Sequence, residues 1–409
     1  MRIALVTSNS IRSEPRAPRA ACFINRIFPS WDIDFICFGH VVPDHIPKYL
    51  RNNAKINIIS IVPSDFLWTK FFRKFCRFLA RYFYKNSSSK PSRYFWEYTD
   101  QIDALLNSAD YDLVYGFGIQ VLQSAFSYSR SKNIPFCFDM MEYYPDMGDA
   151  SPDVSSASIT FLLKASLRYA SLVTTTSNQL AEVTMNLYNP REVKVLYNQP
   201  WFIAENRPRS SREISKNSNE LSLYWRNSWI AFSQRGLDDA LLALTLLPYP
   251  IKLCVQGRIR SSDLKLITRR VHDLNIASRV TFLGPYDPDD AVSAASPYDI
   301  GLCLERPSCA NHNLTVSNKL FDYLSSGLAV VVPSLPSLAS IVVESGAGLV
   351  YQAGDPVSLA DKINYLFLHP ELLKLHKEKA IEYSGLTMNV DSTARRVYEC
   401  LQYVDQANK

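Results

Sequence analysis

SNKLFDYLSSGLAVVVP, residues 317–333, packs a helix, its stop signal and a buried strand into one short run. KLFDYL is helix-like, and Gly327 ends it, because glycine accepts the left-handed conformation that closes a helix. The apolar, β-branched run Val330–Val332 then reads as a strand buried on both faces, with Pro333 as its boundary. An acidic side chain on a helix that leads into such a strand is the arrangement of nucleotide-binding α/β units. Asp322 is therefore the first candidate for a nucleotide contact.

Helical and strand patterns alternate on both sides of this run. That predicts the α/β class, with parallel sheets and ligands at the strand carboxyl ends. A length of 409 residues suggests two or three domains, and 47% apolar content suffices for two cores. The net charge of +5 is too small to indicate a nucleic-acid partner. The most hydrophobic stretch, Gly327–Val343, is broken by Pro333, Pro336 and several serines, so no membrane-spanning helix is expected. The apolar core IALV of Met1–Thr7 is too short for a signal peptide and reads as a first buried strand. Cysteines 22, 37, 76, 137, 254, 303, 309 and 400 show neither C-x-x-C spacing nor a histidine cluster, which suits reduced thiols in a cytosolic enzyme.

Strands are expected at Arg2–Thr7, Asp34–Phe38, Ile56–Val62, Leu113–Tyr115, Phe136–Asp139, Leu172–Thr175 and Val193–Tyr197, mostly separated by helical-length segments. A second series is expected at Leu221–Trp225, Ile251–Gln256, Val280–Leu283, Ile300–Leu304, Ala329–Val332 and Gly348–Tyr351. Helices are expected at Gly236–Leu247, Ser261–Leu274 and Leu359–Leu366. Between the two series, ENRPRSSREISKNSNE is polar and charged, with almost nothing to bury. The expected domains are thus residues 1–202, a linker or mobile loop at 203–220, a second domain at 221–385, and a C-terminal helix at 386–409 packing back on the first domain. Two such halves imply a cleft for a substrate.

Several ordered blocks resemble the retaining nucleotide-sugar glycosyltransferases of the group 1 (family four) type, from Met1 to about His369. They are SEPRAPRAACFINRIFPSWDIDFICFG (13–39), YDLVYGFG (111–118), FDMMEYYPD (138–146), LVTTTSNQLAEVTMNLYNPREVKVLYNQP (172–200), QRGLDDALLAL (234–244), RVTFLGPYDPDDAVSAASPYDIGL (279–302) and SNKLFDYLSSGLAVVVPS (317–334). The resemblance implies the GT-B architecture: two Rossmann-like doubly wound domains facing a central cleft, an N-terminal acceptor domain and a C-terminal donor domain. It also implies transfer of a sugar from a nucleotide diphosphate to a glycan acceptor with retention of configuration.

Breaking a glycosyl-phosphate bond requires positive charge and N–H donors at the departing diphosphate, where negative charge grows. No metal cluster is visible in the sequence, so no metal and no cofactor beyond the nucleotide-sugar co-substrate is expected. Arginines and a helix N-terminus are the available tools. By resemblance, Arg235 in the QRG segment is the phosphate-binding cation, unless it is a solvated arginine at a helix start. Arg226 is a second candidate, although the glycine the family carries nearby is missing from YWRNSWIAF. Asp322 stands where the family has its second glutamate, which holds the ribose; alternatively it only complements a helix dipole. The family's first glutamate falls on Leu314, which cannot bind hydroxyls. Sugar contacts are then expected from Asn311, His312, Asn313 and Thr315, or from the backbone of Leu314–Ser317 with Asn318 and Lys319 following.

Arg16 and Arg19 occupy the family's basic positions on the acceptor side. Where many relatives carry histidine in an Asp-x-His-Glu segment, this chain has Met141 between Asp139 and Glu142. One of these two carboxylates is expected to orient the acceptor or stabilise a cationic sugar, or else Glu142 caps its loop. Finally, Phe66–Lys85, FLWTKFFRKFCRFLARYFYK, sets aromatics on one helical stripe and Lys70, Lys74, Arg77 and Arg81 along the opposite border. Such a helix suits an anionic membrane interface or packing on the domain, and the former implies a lipid-linked acceptor. The expected protein is a cytoplasmic glycosyltransferase, peripheral at the inner face of the membrane, in polysaccharide or lipopolysaccharide-type biosynthesis. The alternative is a catalytically weak GT-B protein serving as a binding or partner subunit.

Overall fold

The computed structural model describes residues 1–51, 53–62, 74–75, 78, 96, 98–148, 154–201, 220–232, 236–248 and 250–407. The chain divides into two compact units. The first comprises Met1–Tyr197, Cys309–Thr315 and Thr393–Lys409; the second comprises Asn198–Ser308 and Val316–Ser392.

The first unit holds a seven-stranded sheet. Its strands are β1 (Arg2–Ser10), β2 (Asp32–Phe38), β3 (Ile56–Ile61), β4 (Leu113–Phe117), β5 (Phe136–Met140), β6 (Leu172–Thr175) and β7 (Val193–Val195). They are parallel throughout, in the order β3-β2-β1-β4-β5-β6-β7. Helices on both faces shield the strands, which explains their near-continuous apolar character: Ile3, Ala4, Leu5 and Val6 are all fully buried. The terminal helix Val390–Ala407 buries Val397, Leu401 and Val404. Within the first unit its Tyr398 stacks on Phe28, and Arg396 lies 5.7 Å from the ring centre of Tyr197.

The second unit repeats the plan with six parallel strands: β8 (Leu221–Ile230), β9 (Ile251–Ile259), β10 (Val280–Leu283), β11 (Ile300–Leu302), β12 (Ala329–Pro333) and β13 (Gly348–Tyr351). Their order is β10-β9-β8-β11-β12-β13. β12 is buried along its whole length, as its run of valines requires. The helix before it, Asn318–Ser326, ends at Gly327 with φ +76°, a conformation in which the Leu328 N–H reaches the Tyr323 carbonyl. A side chain at Gly327 would strain that closure.

Leu172–Thr175, Val280–Leu283 and Gly348–Tyr351 coincide with the strands expected from the apolar runs. β8 and β9 run further, to Ile230 and Ile259, because a shift of register between Arg226 and Trp229 carries the ladder past polar residues that interrupt the pattern. The expected linker at 203–220 lies outside the described residues, apart from Glu220.

Candidate functional site

In both sheets the strand order reverses beside the first strand, and ligands of doubly wound folds gather at the carboxyl ends that flank this reversal. In the second unit these are the ends of β8 and β11. The register shift in β8 begins at Arg226, and bulges of this kind re-aim a side chain at a site. The Arg226 backbone N–H donates to the Tyr323 hydroxyl at 3.1 Å. Tyr323 packs directly on β11 because position 301 is glycine: a Cβ there would stand 2.4 Å from the ring. The Arg226 guanidinium forms an ion pair with Asp322, donates to the Tyr286 hydroxyl and lies 5.3 Å from the Tyr286 ring centre. Asp322 is only 3% exposed. A buried carboxylate and a nearly buried guanidinium thus meet where Arg226 and Asp322 were expected to serve separately as phosphate and ribose contacts. Each lowers the cost of burying the other.

Beside them, Lys319 and Glu305 form a second buried pair at 2.5 Å. The Lys319 ammonium also lies 5.9 Å from the Trp225 ring centre. Arg306 donates from Nε to Asp239 at 2.8 Å, tying the turn after β11 to the helix Leu237–Thr245. Ser317 is the N-cap residue of Asn318–Ser326, and no side chain caps that helix. Its first N–H groups receive no side-chain cap, and an uncapped helix N-terminus favours an anion. Arg235 lies outside the described residues. Among the described residues no group of three or more His, Cys, Asp or Glu is arranged to hold a metal ion.

The remaining expected donor contacts belong to the first unit. His312 and Asn313 lie half-buried on the short helix Ala310–Leu314, and Thr315 follows it, with its N–H donating to the Asn311 carbonyl at 3.0 Å. Asn311 itself is buried and clamps the loop after β5. Its Nδ2 donates to Glu142 at 2.7 Å, its Oδ1 accepts from the Tyr143 N–H at 2.7 Å, and its N–H donates to the Asp146 carbonyl at 3.1 Å. Leu314 packs against the core of the first unit, and its carbonyl accepts from the Ser177 hydroxyl.

Asp139 and Glu142 separate in role. Asp139 is fully buried; Arg16 donates to it from both Nε and Nη2, and Thr174 adds a bond at 2.7 Å. The third Arg16 bond, from Nη1, goes to the Leu196 carbonyl at 2.6 Å. Asp139 therefore holds Arg16 and is closed to a substrate, contrary to the expectation that it stands beside the sugar. Arg16 and Arg19 are themselves buried, so the charge expected on the acceptor side is turned inward. Glu142, half-buried, is the carboxylate left near the surface.

Several groups of these crevices were not singled out from the sequence. Glu14 precedes the helix Arg16–Ile27 and accepts from the Arg16 and Ala17 N–H groups at 2.6 and 3.2 Å. Burial pushes its carboxyl above the usual range, with the two N–H bonds opposing. Tyr144 and Tyr286 were unassigned, as was Glu305. Glu305 carried a visible signal, since it directly follows the apolar run of β11. Of the basic aromatic segment Phe66–Lys85, only Lys74, Phe75 and Phe78 are described; all three are helical and exposed, and the rest lies outside the described residues. No helix among the described residues is long and apolar enough to cross a membrane. The described cysteines are all buried and free of disulfides.

Residues 230–369 match the family model of the glycosyl transferases group 1. No curated protein sequence matches the chain. Among solved structures, HepE of Anabaena in complex with UDP superposes with a TM-score of 0.72 at 15% identity, over 98% of this chain and 100% of its own. Sucrose-phosphate synthase of Thermosynechococcus elongatus gives 0.71 at 13% identity, with 100% of both chains covered. WaaG, a glycosyltransferase involved in lipopolysaccharide biosynthesis, gives 0.61 at 13% identity, over 98% and 99% of the two chains. At these identities the likeness is one of fold, and the fold is that of the GT-B glycosyltransferases.

Proposed function

Because residues 230–369 are a group 1 glycosyltransferase domain, we propose that this enzyme moves a sugar from a nucleoside-diphosphate donor to a glycan acceptor with retention of configuration. The observation that carries the reading is the Arg226–Asp322 pair beside an uncapped helix N-terminus, at the strand-order reversal of that domain. The carboxylate of Asp322 accepts the ribose hydroxyls, while Arg226 and the N–H groups of Asn318 and Lys319 meet the diphosphate. Arg235 adds charge where the leaving group develops it. Ser317, His312, Asn313 and Thr315 complete the donor contacts, and Glu142 faces the acceptor. Uridine diphosphate is the leaving group to try first, since the HepE structure holds UDP.

The acceptor is a lipid-linked glycan, reached at the cytoplasmic face of a membrane through Phe66–Lys85, in polysaccharide or lipopolysaccharide assembly. The support is the basic border of that segment, the exposure of Phe75 and Phe78, and the fold shared with WaaG. A second reading, a binding subunit with little turnover, draws support from Leu314, whose side chain packs into the core where the family carries an acid. A nucleotide-sugar panel read by thermal shift, followed by transfer of labelled sugar to a membrane extract, separates the two. Stabilisation by one nucleotide sugar with transfer supports the enzyme, stabilisation without transfer favours the binding subunit, and no stabilisation by any member overturns both.

A further inference from the structure

Between the end of β11 and the helix Asn318–Ser326, the two elements proposed to hold the donor, the chain leaves the second unit for a short segment. Cys309–Thr315 belongs to the first unit, while Ser308 and Val316 on either side belong to the second. Asn311, 7% exposed, is the junction of that segment. Its side chain faces the loop after β5: Nδ2 donates to Glu142 at 2.7 Å, and Oδ1 accepts from the Tyr143 N–H at 2.7 Å. A carboxylate only accepts and a backbone N–H only donates, so an amide fits the two neighbours where aspartate would bring two acceptors and alanine nothing. The Asn311 main chain extends the clamp both ways. Its N–H donates to the Asp146 carbonyl at 3.1 Å, and its carbonyl accepts from the Thr315 N–H at 3.0 Å and the Thr315 hydroxyl at 2.8 Å. Ala310 adds a bond from its N–H to Asp146 Oδ2 at 2.8 Å, and the Leu314 carbonyl accepts from the Ser177 hydroxyl. Thr315 is thereby fixed just before Ser317, the N-cap of Asn318–Ser326, and Val316 between them is itself 4% exposed. Little slack separates the clamp from the helix N-terminus.

We infer that Asn311 is a positioning residue: it sets Glu142 for the acceptor and, through the same segment, links that setting to occupancy of the diphosphate site. The inference rests on the proposed glycosyl transfer. A diphosphate drawn to the N–H groups of Asn318 and Lys319 restrains the start of their helix, and with it Val316 and Thr315. The hydrogen bonds of Asn311 carry the restraint on to the loop that holds Glu142, a contiguous chain of bonded groups. The acceptor side is thus ordered most firmly when the donor is bound, which completes the site on its correct substrate.

Amide hydrogen exchange of the full chain, with and without saturating UDP, reads the link at residues 140–148; GDP, ADP, CDP and dTDP replace UDP if it does not bind. The nucleotide is expected to slow exchange there about fivefold or more in the wild type. Asn311→Ala is expected to bind the nucleotide and keep the protection of residues 318–326, while the slowing at 140–148 disappears. Asn311→Asp, which sets a second carboxylate against Glu142, should do the same. Adding Glu142→Gln to Asn311→Asp rebuilds the hydrogen bond with its direction reversed and should bring the slowing back. That comparison decides the matter if Asn311→Ala does not fold. A merely structural Asn311 would lower stability and speed exchange equally with and without nucleotide, leaving the nucleotide-dependent difference intact, and this result overturns the inference. So does a wild type that binds nucleotide without slowing at 140–148, or a doubly substituted chain that folds and binds nucleotide without recovering it; each of these leaves the donor site standing. Binding of none of the diphosphates overturns the glycosyl-transfer reading, and the inference with it.

Discussion

Replacing Asp322 with alanine tests the donor site most directly, because it removes both a ribose contact and the partner of Arg226. A charge-assisted hydrogen bond is worth about 1.5–3 kcal/mol, so the dissociation constant for UDP should rise about 10- to 150-fold. The same change leaves the Arg226 guanidinium, 12% exposed, without its carboxylate. Breaking a buried ion pair from one side costs about 3–5 kcal/mol, and residual solvent at Arg226 places the expected loss of stability at the low end. The two effects are separable. Asp322→Ala combined with Arg226→Met removes the stranded charge and should restore much of the stability, yet affinity should stay low because the ribose still lacks its acceptor. Calorimetric titration well below the melting temperature, with denaturant unfolding alongside, reads both. An unchanged dissociation constant in Asp322→Ala refutes the assignment, and so does recovery of affinity in the double variant.

Arg235→Ala should lower kcat more than it weakens the donor, if its charge meets the leaving diphosphate chiefly in the transition state; equal losses in donor Kd and in kcat/KM would mean uniform binding. Replacing Lys70, Arg73, Lys74 and Arg77 with glutamine should release the protein from anionic liposomes without unfolding it, since each cation near such a surface contributes about 1 kcal/mol. Sedimentation unaffected by the change, or wild type that never binds, makes the segment an ordinary packed helix. The raised Glu14 carboxyl favours its protonated form in the folded chain, so its contribution to stability is full below the ordinary glutamate range and is lost as pH rises through the higher folded value. Melting curves from pH 4 to 7 should therefore fall less steeply in Glu14→Gln than in wild type; parallel curves would count against it.

The sequence alone determined the α/β class and the two series of strands that form the two parallel sheets. Strands such as Val330–Val332 lie in parallel sheets covered on both faces, so they appear as unbroken apolar runs that any reader of the chain can find. Gly327 marked its helix end for an equally local reason, a positive φ that other residues resist. Asp322 was legible as a candidate because its helix, its stop and the following strand are contiguous. Tertiary structure decided the pairings. Arg16 was read as a cation for the acceptor, and it is instead sealed against Asp139, 123 positions away. Arg226 and Asp322 were read as separate contacts, and the fold joins them. Asn311, read as a sugar contact, clamps Glu142 and the loop after β5. A guanidinium bonds whichever carboxylate the strand order brings beside it. That order is set by long-range packing of apolar faces, which leaves no trace in the residues adjacent to the charge.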